Sequence, residues 1–164
     1  MAEVTIYTDG SCSGNPGAGG YGIVLISGQY RKELSDAYAL TTNQRMELLA
    51  VIVALESLKI KPTKATVYSD SLYVVNAINK KWLDKWVLTN FKNKKNPDLW
   101  KRFLEVYKQH DVEFIWVKGH ATTEENNRCD QLALLAKVFK EKKIDVYYEN
   151  IEKGRELGEE FFLF

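Results

Sequence analysis

Two acidic residues of this chain come at the carboxyl ends of predicted β-strands. The alternating pattern that begins at Val4 stops at Asp9, and a second short pattern that begins at Ala65 stops at Asp70. A helix is predicted between them, which makes the two strands parallel neighbours. Because open α/β sheets keep their sites at the carboxyl ends of strands, we expect these two carboxylates to lie at the same sheet edge.

Two further acids come from predicted helices. Glu47 lies on a helix face that should be buried, because the residues three, four and seven positions after it are all apolar. Asp130 comes early in the last helix. Each acid alone has a structural explanation: Glu47 could bind an arginine or a backbone amide, Asp70 could cap the following helix, and Asp130 could be favoured by the helix dipole.

A shared site would give all four acids one explanation. Carboxylates in one cleft repel each other and raise each other's pKa unless cations intervene, and hard oxygen ligands suit Mg²⁺. Two such ions would hold the attacking and leaving oxygens of a phosphodiester. The four acids therefore predict a two-ion Mg²⁺ site for phosphodiester cleavage, in which Mn²⁺ could substitute.

A loop histidine and a basic segment extend the predicted chemistry. His120 lies in a polar loop, and its pKa near neutrality suits proton transfer, although an exposed histidine is often idle. Residues 80–95, here called the basic segment, carry six lysines against one acid, with aromatic residues interleaved. Lysines beside aromatic faces are typical of nucleic-acid surfaces, and the alternative is a solvated helix whose tryptophans pack inward.

The elements that must position these residues predict an α/β domain. Three antiparallel strands are expected first, with a hairpin turn at residues 27–29 between strands over 21–26 and 30–37. Strands over 65–70 and 112–117 follow, and helices are expected over about 44–58 and 71–79, from Pro97, and up to Phe139. Glycines at 17, 19 and 22 match a dinucleotide-binding fingerprint, but a β-rich run follows them where that fingerprint needs a helix. A nicotinamide-dependent dehydrogenase is therefore disfavoured.

Bulk composition bounds the class of protein without naming a partner. The chain has 164 residues, a formal net charge of +1 and two cysteines, which fits one domain with free thiols. No window approaches the roughly 18 apolar residues of a membrane span, and the start has no secretory pattern. We expect a cytoplasmic, monomeric protein.

Seven motifs, in chain order, resemble the bacterial type 1 ribonuclease H family. Together they span roughly residues 3 to 139, and the joint match is specific where each motif alone is weak. They are YTDGSC at 7–12, GNPG at 14–17, GGYG at 19–22, TNQRMEL at 42–48, SDS at 69–71, WVKGH at 116–120 and NNRCD at 126–130.

The resemblance implies a fold, an activity and a set of roles. The fold is a mixed five-stranded sheet, three strands antiparallel and then two parallel, flanked by helices. The activity is endonucleolytic hydrolysis of the RNA strand of RNA–DNA hybrids, leaving 5′-phosphate and 3′-hydroxyl ends. By position, His120 resembles the loop histidine that assists proton transfer or product release. The implied metal ligands are Asp9, Glu47, Asp70 and Asp130.

The resemblance also implies substrate contacts. Side chains that meet the minor groove of the hybrid are Cys12, Asn15, Asn43 and Gln44, the last where relatives often have asparagine. Amide groups can both donate to and accept from the 2′-hydroxyl that marks RNA. The basic segment resembles the family's basic protrusion, which grips the phosphates of the DNA strand. Its implied contacts are Lys81, Trp82, Lys85 and Trp86.

Two questions remain open at the level of sequence. We expect residues 1–143 to form the catalytic domain and residues 144–164 to form a C-terminal extension. Its aromatic end, residues 161–164, either docks on a partner such as a sliding clamp or packs with the extension on its own domain or a second copy. The main functional alternative is a non-catalytic hybrid-binding module. A nuclease part of a reverse transcriptase is another, against which the start at Met1 favours a standalone protein.

Overall fold

The structure is a computed structural model that describes residues 1–119 and 123–156. In the described chain, β1 (Ala2–Cys12), β2 (Gly17–Ser27) and β3 (Tyr30–Thr41) precede α1 (Asn43–Glu56), β4 (Thr63–Ser69), α2 (Leu72–Asn79), α3 (Trp82–Leu88), α4 (Pro97–Tyr107), β5 (Asp111–Trp116) and α5 (Glu124–Ala136). A π-helical turn, Tyr148–Glu152, leads into α6, Lys153–Glu156. His120 and the aromatic end at residues 161–164 lie outside the described residues.

The described strands form one mixed sheet in the order β3-β2-β1-β4-β5. β1, β2 and β3 pair antiparallel, and β4 pairs parallel with both β1 and β5. The predicted fold class, three antiparallel strands followed by two parallel ones with helices on the sheet, is confirmed. No helix in the described part of the chain has the length and apolar character needed to cross a bilayer.

Sequence patterns explain the strands and their turn. In β1 the buried residues alternate, beginning with Val4, Ile6 and Thr8, because successive side chains of a strand point to opposite faces. β2 is buried on both faces, as expected for a strand covered by helices. Gly28 opens the two-residue turn between β2 and β3 with φ of +61°, a conformation that glycine adopts without a steric cost.

Helix α1 is almost wholly buried and begins at a side-chain cap. The hydroxyl of Thr42 accepts a hydrogen bond from Arg45 N, which satisfies a backbone group that the first turn leaves unpaired. The apolar residues of α1 pack between the sheet and α4, whose Trp100 and Phe103 are fully buried. The helix is thus fixed on the sheet at the end that carries Glu47.

Three predicted positions differ from the structure. β1 does not stop at Asp9 but continues to Cys12, because its pairing with β2 runs on through Cys12 and Gly19. Ser71, not Asp70, caps α2, since its hydroxyl accepts from Val74 N. α5 begins at Glu124, which places Asp130 in the middle of this helix and removes the dipole explanation for it.

The fingerprint glycines lie within β2, and close packing explains why small residues occur there. α5 lies so near that a Cβ on Gly22 would come 2.2 Å from Cys129 O, and one on Gly20 would come 2.7 Å from Ala133 O. The glycines of β2 therefore admit a helix against the sheet. No helix opens on them, as expected.

Candidate active site

Glu47 reaches Asp9 because α1 and β1 meet at a glycine. A Cβ on Gly10 would lie 2.5 Å from Glu47 N and 2.6 Å from Met46 C, so only glycine permits this approach. Gly10 directly follows Asp9 in β1 and donates its N–H to the Asp9 carboxylate at 2.9 Å. The backbone of α1 thus carries Glu47 to the side of Asp9.

Asp70 reaches Asp9 through the register of two parallel strands. Tyr7 of β1 pairs with Tyr68 of β4, and two residues further along the chain come Asp9, within β1, and Asp70, directly after β4. The indole N–H of Trp116, at the end of β5, donates to the backbone oxygen of Asp70 at 3.2 Å. Carboxylate oxygens of Asp9, Glu47 and Asp70 all lie within 4.8 Å of one another.

Asp130, on α5, lies beside this cluster but is not one of the three acids whose oxygens meet within 4.8 Å. The neighbouring Cys129 is fully buried, and its Sγ donates to Tyr7 O at 3.2 Å, which ties the middle of α5 to β1. Gly22, which allows α5 to approach the sheet, is the cross-strand partner of Asp9. Asp9, Asp70 and Asp130 consequently line one small cavity of about 50 Å³, here called the acidic cavity. Asn126 and Lys118 are among its other lining residues.

Burial and mutual repulsion raise the pKa values of the central acids. The pKa of Asp9 rises to about 8, first because the group is buried and then because Asp70 and Asp130 lie close to it. Burial, followed by the charge of Asp9, raises the pKa of Glu47 well above its usual range. A cluster of acids that resist ionisation together is one that gains from a bound cation.

The donor atoms of the cluster fit a hard divalent cation. Glu47 is only 8% exposed, and its buried Oε2 has no hydrogen bond to any of the described residues. A buried carboxylate oxygen without a partner is costly unless it is protonated or coordinates an ion. The cluster offers oxygen ligands alone, which is the ligand type of Mg²⁺ and Mn²⁺.

The predicted minor-groove residues lie next to one another. Asn15 Oδ1 accepts from Asn43 N at 2.9 Å, which joins the loop after β1 to the first residue of α1. Cys12 Sγ donates to Thr41 O at 3.3 Å, just before the same helix. Asn15, Asn43 and Gln44 are exposed and Cys12 is half-buried. The Asn15 oxygen is used within the protein, so its amide nitrogen is the group that can donate to a ligand.

The basic segment combines exposed lysines with tryptophans that are partly packed. Trp86 contacts the buried Trp100 edge-to-face at 5.6 Å between ring centroids, so the inward-packing alternative holds for part of this segment. Trp82 is 37% exposed, and Lys80 Nζ lies 5.5 Å from its ring centroid. Lys81 and Lys85 are exposed. The segment therefore presents cations on a surface that its aromatic residues support.

A wide groove separates the basic segment from the start of α1. Its volume is about 1370 Å³, far larger than the acidic cavity. Asn15, Thr42 and Gln44 form one wall, and residues 90–98 and Lys101 form the other. Among the described residues, the groove and the acidic cavity have no lining residue in common, but the α1 wall of the groove lies one helical turn from Glu47.

The fold brings to the site further residues that the sequence patterns did not predict. Asn126 and Lys118 line the acidic cavity, and both belong to motifs already recognised, at 126–130 and 116–120. The orientation of Asp70 by Trp116 depends on the pairing of β4 with β5, for which the sequence carries no local signal. Tyr147, which lies beyond every motif, also lines the wide groove.

Comparison with known proteins agrees with this geometry. The RNase H family model matches residues 1–137. A curated relative named Ribonuclease H, from Rippkaea orientalis, is 53% identical over 153 residues, covering 90% of this chain and 93% of the relative. The crystal structure of LC9-RNase H1, a type 1 RNase H with the type 2 active-site motif, is similar with a TM-score of 0.76 and 29% identity over 83% of this chain and 72% of that chain. The crystal structure of LC11-RNase H1 in complex with RNA/DNA hybrid is similar with a TM-score of 0.58 and 25% identity. This match covers 81% of this chain and 95% of the LC11-RNase H1 chain.

Proposed function

This chain belongs to the RNase H family, as its resemblance to the bacterial type 1 enzymes predicted, and we propose that it hydrolyses the RNA strand of RNA–DNA hybrids. Cleavage is endonucleolytic and leaves 5′-phosphate and 3′-hydroxyl ends. The observation that carries the proposal is the convergence of Asp9, Glu47 and Asp70 within 4.8 Å, one helical turn of α1 from a groove of about 1370 Å³.

Four side chains would hold two divalent cations, Mg²⁺ or, as a substitute, Mn²⁺: Asp9, Glu47, Asp70 and Asp130. Bound cations would supply charge neutralisation at the scissile phosphate and activation of the attacking water. The protein fixes the geometry of the ligands through backbone contacts at Gly10 and Gly22, and those contacts leave the carboxylates little freedom to separate. Such rigidity favours reaction, because ligands that are already in position need no reorganisation.

Protons must leave the acids before they can bind a cation. The pKa of Asp9 is raised to about 8, so cation binding at neutral pH displaces a proton from this residue or its neighbours. We further propose, from its position in the family motif, that His120 handles a proton near the scissile bond during cleavage or product release. Histidine is the side chain most often used for general acid–base catalysis.

The substrate would be held by its two strands in different ways. Exposed amides at Asn15, Asn43 and Gln44 stand where a 2′-hydroxyl could be recognised, which favours RNA on the side of α1. Exposed lysines of the basic segment would neutralise phosphates of the DNA strand. Trp82, half-exposed beside Lys80, and the neighbouring Trp86 would provide apolar surface there.

Cleavage of a hybrid labelled on each strand in turn tests the proposal. The assay compares Mg²⁺ with a chelator and includes matched RNA–RNA and DNA–DNA duplexes. We expect metal-dependent cutting of the RNA strand of the hybrid alone. Hybrid binding without cutting under either metal would contradict the proposal and favour the non-catalytic binding module.

A further inference from the structure

The first part of the C-terminal extension is anchored to the domain at defined points. Lys143, the last residue before the extension, exchanges backbone hydrogen bonds with Ala37 and Ala39 of β3, each at 2.9 Å. Asp145 is buried, and its carboxylate accepts from Arg45 Nε at 2.7 Å and from Thr41 Oγ1 at 2.7 Å. These bonds fix the path of the extension across the start of α1.

Arg45 is the centre of this anchor. Its guanidinium is 2% exposed and also donates to both carboxylate oxygens of Asp98, at 2.9 and 2.7 Å. Asp98 belongs to the first turn of α4, directly after the basic segment. One buried cation therefore joins the extension, the α1 wall and the far wall of the wide groove.

Tyr147 is held in place between two buried neighbours. Asp145 lies two residues before it, and Tyr148, which is fully buried, donates its N–H to Asp145 Oδ1 at 3.3 Å. The ring of Tyr147 covers the guanidinium of Arg45, with the carbon Cζ 5.3 Å from the ring centroid. The residue is half-buried and lines the wide groove together with Asn15 and Gln44 of one wall and residues 90–98 of the other.

The groove beside Tyr147 is suited to an anionic polymer. Four exposed lysines line it, at positions 92, 94, 95 and 101. Two acids also line the groove among the described residues, but neither carboxylate is fully open to solvent, since Asp98 is bonded to Arg45 and Glu152 is buried. A cationic wall facing amide groups, with an aromatic ring at one end, is the arrangement that tracks a nucleic-acid backbone and stacks on its bases or sugars.

We infer that Tyr147 is a substrate-binding residue, so that the C-terminal extension forms part of the nucleic-acid groove and contacts the hybrid strand that lies between α1 and the basic segment. This inference rests on the proposed function for the identity of the nucleic acid. It adds to the site an aromatic contact that lies outside residues 1–137, the part of the chain matched by the family model.

The expected size of the effect follows from the exposure of the ring. Removing an aromatic side chain that stacks on nucleic acid costs about 1–3 kcal/mol of binding free energy, which corresponds to about five- to more than a hundredfold in affinity. Tyr147 is half-buried against Arg45, so only part of its ring can face a ligand, and we expect about fivefold, at the lower end of this range.

The test measures hybrid affinity in chelator and KM and kcat in Mg²⁺ for full-length Tyr147→Ala and Tyr147→Phe. Tyr147→Ala should raise Kd and KM by about fivefold with kcat unchanged, whereas Tyr147→Phe, which retains the ring, should stay within about twofold of wild type. Because tyrosine is neutral, the slope of log Kd against log salt should not change. Tyr30→Ala is the matched control, since Tyr30 is exposed at the β2–β3 turn, far from the groove.

Unchanged Kd and KM in Tyr147→Ala would overturn the inference. A fall in kcat and melting temperature at constant KM would also overturn it, because that result would indicate a purely structural role through Arg45. If Tyr147→Ala does not fold, Tyr147→Leu retains bulk over Arg45 and must show the same rise in Kd. Wild-type protein that binds the hybrid without cleaving it would refute the proposed function, while the binding comparison would still decide the role of Tyr147. Wild-type protein that cleaves the hybrid with Tyr147→Ala indistinguishable from it would refute the inference alone.

Discussion

Replacing Gly10 by alanine should separate Glu47 from Asp9. An ideal Cβ at this position lies 2.5 Å from Glu47 N and 2.6 Å from Met46 C, and both atoms belong to the backbone. An ordinary contact needs 3.4 Å or more, so the start of α1 must retreat from β1 by about 0.9 Å. No side-chain rotation can relieve this clash, because the helix itself occupies the space.

The magnitude follows from overpacking and from the sensitivity of catalysis to position. Inserting a methyl group into a packed site costs about 1–3 kcal/mol, which lowers the melting temperature of a domain of this size by about 2–12 °C. A misplacement of about 1 Å in a catalytic group can lower the rate about a hundredfold. We therefore expect Gly10→Ala to fold, to be less stable and to lose about two orders of magnitude in kcat.

Gly28→Ala is the matched control for this variant. A Cβ there meets no atom of the described residues within 4 Å, but the φ of +61° imposes a strain of about 1–2 kcal/mol on alanine. The two variants should thus lose similar stability, as measured by urea unfolding, while only Gly10→Ala loses activity in a hybrid-cleavage assay well below its melting temperature. Activity of Gly10→Ala within a few fold of Gly28→Ala would refute the argument that this contact positions Glu47.

Three further predictions follow from the charges of the structure. Alanine at three lysines of the basic segment should weaken hybrid binding and reduce the slope of log K against log salt by roughly 0.9 per lost phosphate contact, and an unchanged slope would move the binding face elsewhere. Those lysines are Lys81, Lys85 and Lys92. The pKa of Asp9 is 3.8 ordinarily and about 8 in the folded protein. In chelator and between these two pH values, the folded state therefore binds a proton that the unfolded state has lost, so the free energy of unfolding should fall as pH rises through this window. Mg²⁺ should remove that fall, so the rise in melting temperature on adding Mg²⁺ should be larger at about pH 9 than at about pH 6. An equal or smaller rise at about pH 9 would contradict the cation site. Arg45→Met should lower the free energy of unfolding in urea by about 3–5 kcal/mol, because Asp145 and Asp98 lose their shared cation. The surface change Arg31→Met should lower it by about 1 kcal/mol or less. Equal losses of stability would show that the buried network contributes little.

Local patterns were sufficient to predict most of the fold. The alternation in β1, the turn at Gly28 and the βαβ arrangement predicted three antiparallel strands and a parallel strand beside β1, whereas the mixed five-stranded sheet was implied by the family motifs. Strand and helix ends were the least accurate, as with Asp9 and Asp130, because they depend on pairing and packing with distant segments. Asp9 lies inside β1 since β2 continues to pair with it, and Asp130 lies inside α5 since the helix starts six residues earlier.

The parts of the site that could not be predicted come from contacts between residues far apart in sequence. Arg45 stands two residues from Glu47, yet its partner Asp145 is 100 positions away and lies outside every motif. The groove contact at Tyr147 depends on that anchor. A sequence pattern records the spacing of neighbours along one element, whereas these contacts depend on how the extension crosses α1, which only the folded chain specifies.

Hybrid affinity and cleavage rate, measured side by side for Asp70→Asn and wild-type protein, decide whether the acidic cluster is a catalytic cation site. The substitution retains the size of the side chain but removes the charge of one carboxylate in the 4.8 Å cluster. We predict that Kd for the hybrid, measured in chelator, stays within a few fold, while the rate of RNA-strand cleavage in Mg²⁺ falls by orders of magnitude. A cleavage rate within a few fold of wild type would contradict the assignment of these acids to a catalytic cation site.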